Sequence, residues 1–214
     1  MNDYEKIDFC FKINLQISNS KEYDDYSDDY FSYISSPIIY KKLDENYETI
    51  ESNEIGEIQL IYIHGTRAIN NELDIVDICD AESQALYDYV CRVYKNGYIS
   101  DKLNDFPSSN DLLILDIINI NTAYQGREYG LIISKKMIDF FGSNCGGIMI
   151  KPFLLQFSVA LNDEEKLNLK YKSEKFSSDL KTARNKIMRY WKRLSPHCKT
   201  LTINGSEKVI YIPN

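Results

Sequence analysis

Six consecutive residues, Gln125-Gly126-Arg127-Glu128-Tyr129-Gly130, are the part of this 214-residue chain whose types and spacing best suit chemistry. They hold two glycines and stand before a stretch patterned as a helix, from about Gly130 to Phe141. The first N–H groups of a helix have no partner within it, and the helix dipole adds partial positive charge at that end. A glycine lets a bulky anion approach the backbone. The loop reads either as a cradle for a pyrophosphate or as a tight turn, and the residues alone leave both open. Just upstream, Asp116 interrupts the apolar run LLILDIINI at 112–120. A carboxylate there is a proton acceptor, a bulge, a hydrogen-bonded structural residue or a contact for a partner.

The elements that position these residues follow from hydrophobic patterning. The 112–120 run is a strand covered on both faces. A second buried strand spans 148–157 (IMIKPFLLQF), where Pro152 marks an edge, a bulge or a place where neighbouring strands separate, because it cannot donate to a ladder. A helix over 178–194 buries Leu180, Ala183, Ile187, Tyr190, Trp191 and Leu194. Upstream, residues 6–17 and 56–64 alternate as strands. Asp80 is placed as the N-cap of a helix that buries Leu86, Val90, Val93 and Tyr94 and stops at Asn96-Gly97. Pro107 to Asn110 is a turn, and residues 198–212 form a hairpin turning at Asn204-Gly205. The expected architecture is α/β, one domain over 1–214. It has a mixed, largely antiparallel sheet of six or seven strands with helices on both faces. A flexible acidic segment is expected at 18–36 and a polar excursion at 162–175.

Composition excludes several classes. The chain is 43% apolar and 27% charged, an ordinary globular balance. A formal charge of −7 argues against nucleic-acid binding, which needs a clustered basic surface. No leader or membrane-length apolar stretch is seen, so a soluble, cytoplasmic protein without a membrane partner is expected. The five cysteines (Cys10, Cys79, Cys91, Cys145 and Cys198) form no CxxC pair and read as reduced thiols. His64 and His197 are far apart and do not suggest a metal, although His64 could face a substrate. Ser134, Ser143 and Cys145 lack a nucleophile-elbow context.

Ile120, Tyr124, Gln125, Gly126 and Gly130 match the pattern V-x-P-x-Y-R/Q-G-x-G-x-G/A. The segment Ile120 to Gly130 therefore resembles the acetyl-CoA loop of the GNAT superfamily of N-acetyltransferases. Thr122 replaces the Pro of that pattern and Glu128 its middle Gly, which sets a carboxylate beside the expected phosphates. IKPFLLQF resembles the fifth strand of that fold, and Tyr190 to Pro196 its helix-end signature L/Y-Y-x-x-L-G-F. Asp77 to Tyr94 is similar to an upstream segment of one poorly characterised branch.

The resemblance implies an acetyl-CoA-dependent N-acetyltransferase. The pantetheine arm would pair with the main chain of Ile118, Asn119 and Ile120. The pyrophosphate would rest on the N–H groups of Gln125, Gly126, Arg127, Glu128, Tyr129 and Gly130. The thioester would lie in a splay between strands 112–120 and 148–157. An amine of a small molecule or peptide would attack it directly. Asp116 would serve as base, placed on the face of Ile120 by strand alternation; Glu128 and Asp80 are alternatives acting through water. Trp191 stands where the family carries its Tyr proton donor, and an indole N–H cannot act as a proton acid. That leaves adjacent Tyr190 as the acid, or unassisted departure of the thiolate. No metal is expected, and the assembly is a monomer or homodimer. The alternative is a GNAT fold that binds CoA or a partner without transfer.

Overall fold

The computed structural model describes residues 4–9, 12–14, 29–152, 179–203 and 207–214. Along the chain run β1 (Tyr4–Phe9), β2 (Lys12–Asn14), β3 (Phe31–Leu43), β4 (Thr49–Ile63), α1 (Gly65–Asn70), α2 (Ile75–Glu82) and α3 (Gln84–Val93). There follow β5 (Tyr94–Lys95), β6 (Tyr98–Ile99), β7 (Leu112–Ile120), α4 (Tyr129–Phe141), β8 (Gly147–Ile150), α5 (Leu180–Trp191), β9 (Lys199–Ile203) and β10 (Glu207–Pro213). Eight strands form one sheet in the order β1-β3-β4-β7-β8-β10-β9, with β2 also paired to β3. Every pairing is antiparallel except β7 with β8. The protein is thus an α/β fold on a mixed, mostly antiparallel sheet.

Strand alternation divides the core. Leu112 and Ile114 of β7, with Met149 of β8, pack under α2 and α3 through Cys79, Leu86, Val90 and Val93. Leu113 and Leu115, with Ile148 and Ile150, pack under α4 and α5 through Ile133, Met137 and Trp191. Helices therefore cover both faces, which is why β7 reads as an unbroken apolar run rather than an alternating one.

Several expectations are corrected. Asp80 does not cap a helix: it stands exposed inside α2, whose N-cap is Asp74, and Ser83 caps α3. Both true caps accept a bond from a backbone N–H of the first turn, at Val76 and Leu86. Asn96-Gly97 is a hairpin turn between β5 and β6. The φ values of +52° and +79° are those a two-residue turn needs to match strand twist. The acidic segment ends earlier than expected, because residues 31–36 belong to β3. The segment's first part, the excursion at 162–175, the 153–157 end of the predicted strand and the Asn204-Gly205 turn lie outside the described residues. The strand predicted over 6–17 is present as β1 and β2, side by side against β3.

Candidate functional site

β7 and β8 run parallel only from Leu112 and Gly147 to Leu115 and Ile150. The last bond between them runs from Lys151 N–H to the Leu115 carbonyl, at 3.2 Å. β7 continues five residues further, held on its other edge by β4 as far as Ile120 opposite Gly56. Where the two strands part there is a small cleft lined by Leu115, Ile118, Ile150, Lys151, Ile187 and Trp191.

The loop after β7 is tied in place by polar contacts. Asn121 N–H donates to the Ile55 carbonyl at 2.7 Å, and Gln125 Nε2 donates back to the Ile120 carbonyl at 2.7 Å. Gly126 has φ +84°, with open space where a Cβ would point. The guanidinium of Arg127 lies 5.6 Å over the Tyr124 ring. Tyr124 and buried Tyr129 both rest on buried Tyr40.

Glu128 is the N-cap of α4, and it is left-handed at φ +63°. That region is costly for any residue with a Cβ, so a glycine at this place in the pattern answers a backbone need. Its carboxylate makes no capping bond and turns outward to Arg193, at 2.7 Å. Glu128→Gly is expected to be more stable than Glu128→Ala by about 1 kcal/mol. Both lose the same exposed ion pair, which is worth at most about 1 kcal/mol, and only Ala keeps the backbone strain. Paired denaturant titrations check this; equal stabilities would contradict the left-handed assignment.

α5 closes the site from above. The Tyr190 hydroxyl accepts a hydrogen bond from Leu131 N–H at 3.0 Å, satisfying one of the orphan donors of α4. A Cβ on Gly130 would lie 2.7 Å from that oxygen, so Gly130 is small because Tyr190 occupies the space. Burial raises the Tyr190 hydroxyl above its ordinary range. Trp191, 6% exposed, lines the cleft, and its Nε1–H is buried with no partner among the described residues.

Asp116 does not share a face with Ile120. In the β4–β7 register Leu60 faces Leu115 and Gln59 faces Ile117, which leaves Asp116 as the extra residue of a bulge. The bulge shifts parity, so Leu113 and Leu115, then Ile118 and Ile120, all pack on the α4–α5 side. Asp116 turns to the other side, where its Oδ1 lies 3.7 Å from Lys151 Nζ. Lys151 in turn sits 5.6 Å over the ring of Tyr89, a residue of the α2–α3 core. Burial raises the Tyr89 hydroxyl. The charge and hydroxyl of Tyr89, with Asp116 and Glu207, raise the Lys151 ammonium despite its burial. Sequence reading missed Lys151 and Tyr89; the one available signal was a lysine directly after a buried strand and before a proline. Asn119 is buried on the Asp116 side, donating to Glu57 Oε1 at 3.0 Å. The site therefore brings together Ile118, Ile120, Trp191 and the loop on one face, and Asp116 with Lys151 and Tyr89 on the other.

The remaining candidates lie elsewhere. Among the described residues no group of His, Cys, Asp and Glu could hold a metal ion, and no helix is long and apolar enough to cross a membrane. Cys79 and Cys145 are buried thiols raised by desolvation, Cys145 to about 12, and so are poor nucleophiles. His64 Nε2 shares a 2.9 Å hydrogen bond with Ser32 Oγ, and its ring packs on Tyr62. Burial holds the imidazole below its ordinary 6.5, although nearby Asp111 pulls the other way. Between the folded value and 6.5 the unfolded chain binds a proton that the folded one does not, so stability rises with pH through that window and is level above it. The melting temperature is expected to fall as pH drops below about 6.5, and His64→Gln to remove that part of the fall. An unchanged profile in the variant would contradict the burial of a neutral ring.

Comparison with protein-family models, with curated proteins and with solved structures gave no match.

Proposed function

We propose that this chain is an acetyl-CoA-dependent N-acetyltransferase of GNAT type, moving an acetyl group to a primary amine by direct attack. The observation that carries the reading is the parting of β7 from β8 after Leu115, followed by five further residues of β7, the Gly126 loop and the N-terminus of α4. Three features fit the cofactor. The β7 main chain at Ile118 to Ile120 is bonded to β4 on one edge and lies beyond the last β8 bond on the other. Gly126 has open space above it. The buried Trp191 N–H at the cleft lacks an acceptor.

In this reading the main chain of Ile118, Asn119 and Ile120 pairs with the pantetheine amides. The N–H groups of Gln125 to Gly130 hold the pyrophosphate. Arg193, already drawn to the α4 N-terminus by Glu128, offsets the carboxylate that would otherwise repel it. Acetyl-CoA supplies the activated acyl group. Asp116 takes a proton from the acceptor, a small molecule or peptide bearing a cationic amine. Trp191 packs against the acyl end and donates a hydrogen bond. Tyr190 positions α4, and its hydroxyl on Leu131 N–H makes it a poor choice for the acid. A cytoplasmic monomer or homodimer suits this role.

A second reading is favoured by the same two residues. With Tyr190 bound to α4 and an indole at the cleft, the chain would bind CoA without transfer. Incubation with acetyl-CoA and a panel of polyamine, aminoglycoside and lysine-peptide acceptors, following released thiol with a disulfide reagent, separates the two. Acceptor-dependent thiol release supports the enzyme. Cofactor binding without release across the panel supports the binding module.

A further inference from the structure

The proposed transfer lacks an acid. Trp191 cannot give up a proton, and the Tyr190 hydroxyl is engaged at the α4 N-terminus. The residue that makes the last β7–β8 bond is a lysine. Lys151 borders the cleft, and its ammonium lies at the gap with Asp116 Oδ1 at 3.7 Å and the Tyr89 ring at 5.6 Å. Both charged side chains are only about a quarter exposed, at 27% for Lys151 and 25% for Asp116. Their attraction is therefore less screened than that of a surface pair.

We propose, resting on the reading of the chain as an acetyl-CoA-dependent transferase, that Lys151 is the group that stabilises and protonates the departing CoA thiolate. The step balances. The neutral amine forms a bond to the thioester carbonyl carbon, and the C–S bond breaks with its electron pair going to sulfur. Lys151 gives that sulfur a proton, and Asp116 takes the proton shed by the nitrogen of the new amide. Transfer from Asp116 to Lys151 across 3.7 Å restores both groups. An acceptor that arrives as an ammonium releases one more proton to water first.

The groups facing Lys151 set the balance of its charge. Tyr89 reaches it from α3, Asp116 from the β7 bulge and Glu207 from the start of β10. All three keep the ammonium protonated through neutral pH, as an acid for a thiolate must be. Glu207 and Asp116 also compete for its charge, so removing Asp116 leaves more of it for sulfur.

The test needs no acceptor. Free CoA is bound to the whole chain, and its thiol is titrated by thiolate absorbance near the ultraviolet edge. In the wild type the bound thiol is expected to titrate about one unit or more below free CoA, a roughly tenfold larger thiolate fraction at a given pH. Lys151→Met is expected to return it to the free value or above, Lys151→Arg to keep it depressed, and Asp116→Asn to depress it further. Melting curves identify any variant that fails to fold, and the wild-type titration stands without them. Bound CoA whose thiol titrates as free CoA in the wild type overturns the proposal, as does a depression that survives in folded Lys151→Met. Absence of CoA binding overturns the transferase reading itself, and the proposal with it.

Discussion

Replacing Asp116 with Asn is expected to lower acetyl transfer by about 10²–10⁴-fold, the range for loss of a positioned base, while leaving acetyl-CoA binding intact. The two effects separate because of the bulge. Asp116 is the one residue of β7 without a partner in the β4 register, and it projects to the face opposite the loop and α4. The nucleotide end would be held from the Ile118–Ile120 backbone onward, where the bulge has already restored the regular ladder. Asn preserves shape and loses only basicity, so the melting shift given by acetyl-CoA should match that of the wild type. The acceptor's KM should rise less than kcat falls, because the lost interaction belongs to the transition state. Glu128→Gln makes the comparison specific, since Glu128 lies at the α4 N-terminus and pairs with Arg193. If Asp116→Asn transferred acetyl at the wild-type rate, Asp116 would be a bulge residue and no more.

Trp191→Ala is expected to destabilise the fold by about 3–5 kcal/mol, as large-to-alanine changes of buried aromatics do. Trp191 is nearly buried and joins α5 to Leu115, Ile150 and Ile210 beneath it. For a chain of this size that corresponds to a drop of roughly 6–20 °C in melting temperature. Trp191→Phe separates packing from polarity. It keeps most of the volume and removes a buried donor that has no acceptor among the described residues. Leaving such a donor unsatisfied costs about 1–3 kcal/mol, which offsets part of the lost contact. The Phe variant is therefore expected within about 1.5 kcal/mol of wild type, and to bind acetyl-CoA more weakly if the indole N–H meets the cofactor. Thermal and chemical denaturation of the three proteins, with and without acetyl-CoA, gives both readings. An Ala variant as stable as wild type would contradict the packing of α5 on the sheet.

Sequence patterning located β7, the loop and α4 to within a residue, because a strand buried on both faces and a helix with a constant apolar stripe each leave a periodic mark. The direction of Asp116 left none. A bulge is a property of the register between β4 and β7, and one inserted residue reverses every alternation argument beyond it. Asn96-Gly97 misled for a related reason, since the same dipeptide ends helices and makes two-residue hairpin turns. The position of Tyr190 depends on how α5 lies on α4, which no local pattern encodes, although Gly130 records it from the other side as the space Tyr190 fills. Lys151 and Tyr89 are 62 positions apart, and only the sheet brings them together. The α/β class was legible from the order of elements. The chemical pairing at the site was a matter of tertiary packing.

The central claim, a working CoA site built from β7, the Gly126 loop and the α4 N-terminus, is tested most directly by thermal-shift titration with acetyl-CoA, free CoA and ATP. At about 100 times its dissociation constant a ligand adds ~2.7 kcal/mol, or roughly 5–10 °C for a chain of this length. The account predicts a shift of that size with acetyl-CoA and with CoA, a smaller one with ATP, and a larger one in Glu128→Gly than in the wild type. No shift with millimolar acetyl-CoA, in either the wild type or Glu128→Gly, would contradict it.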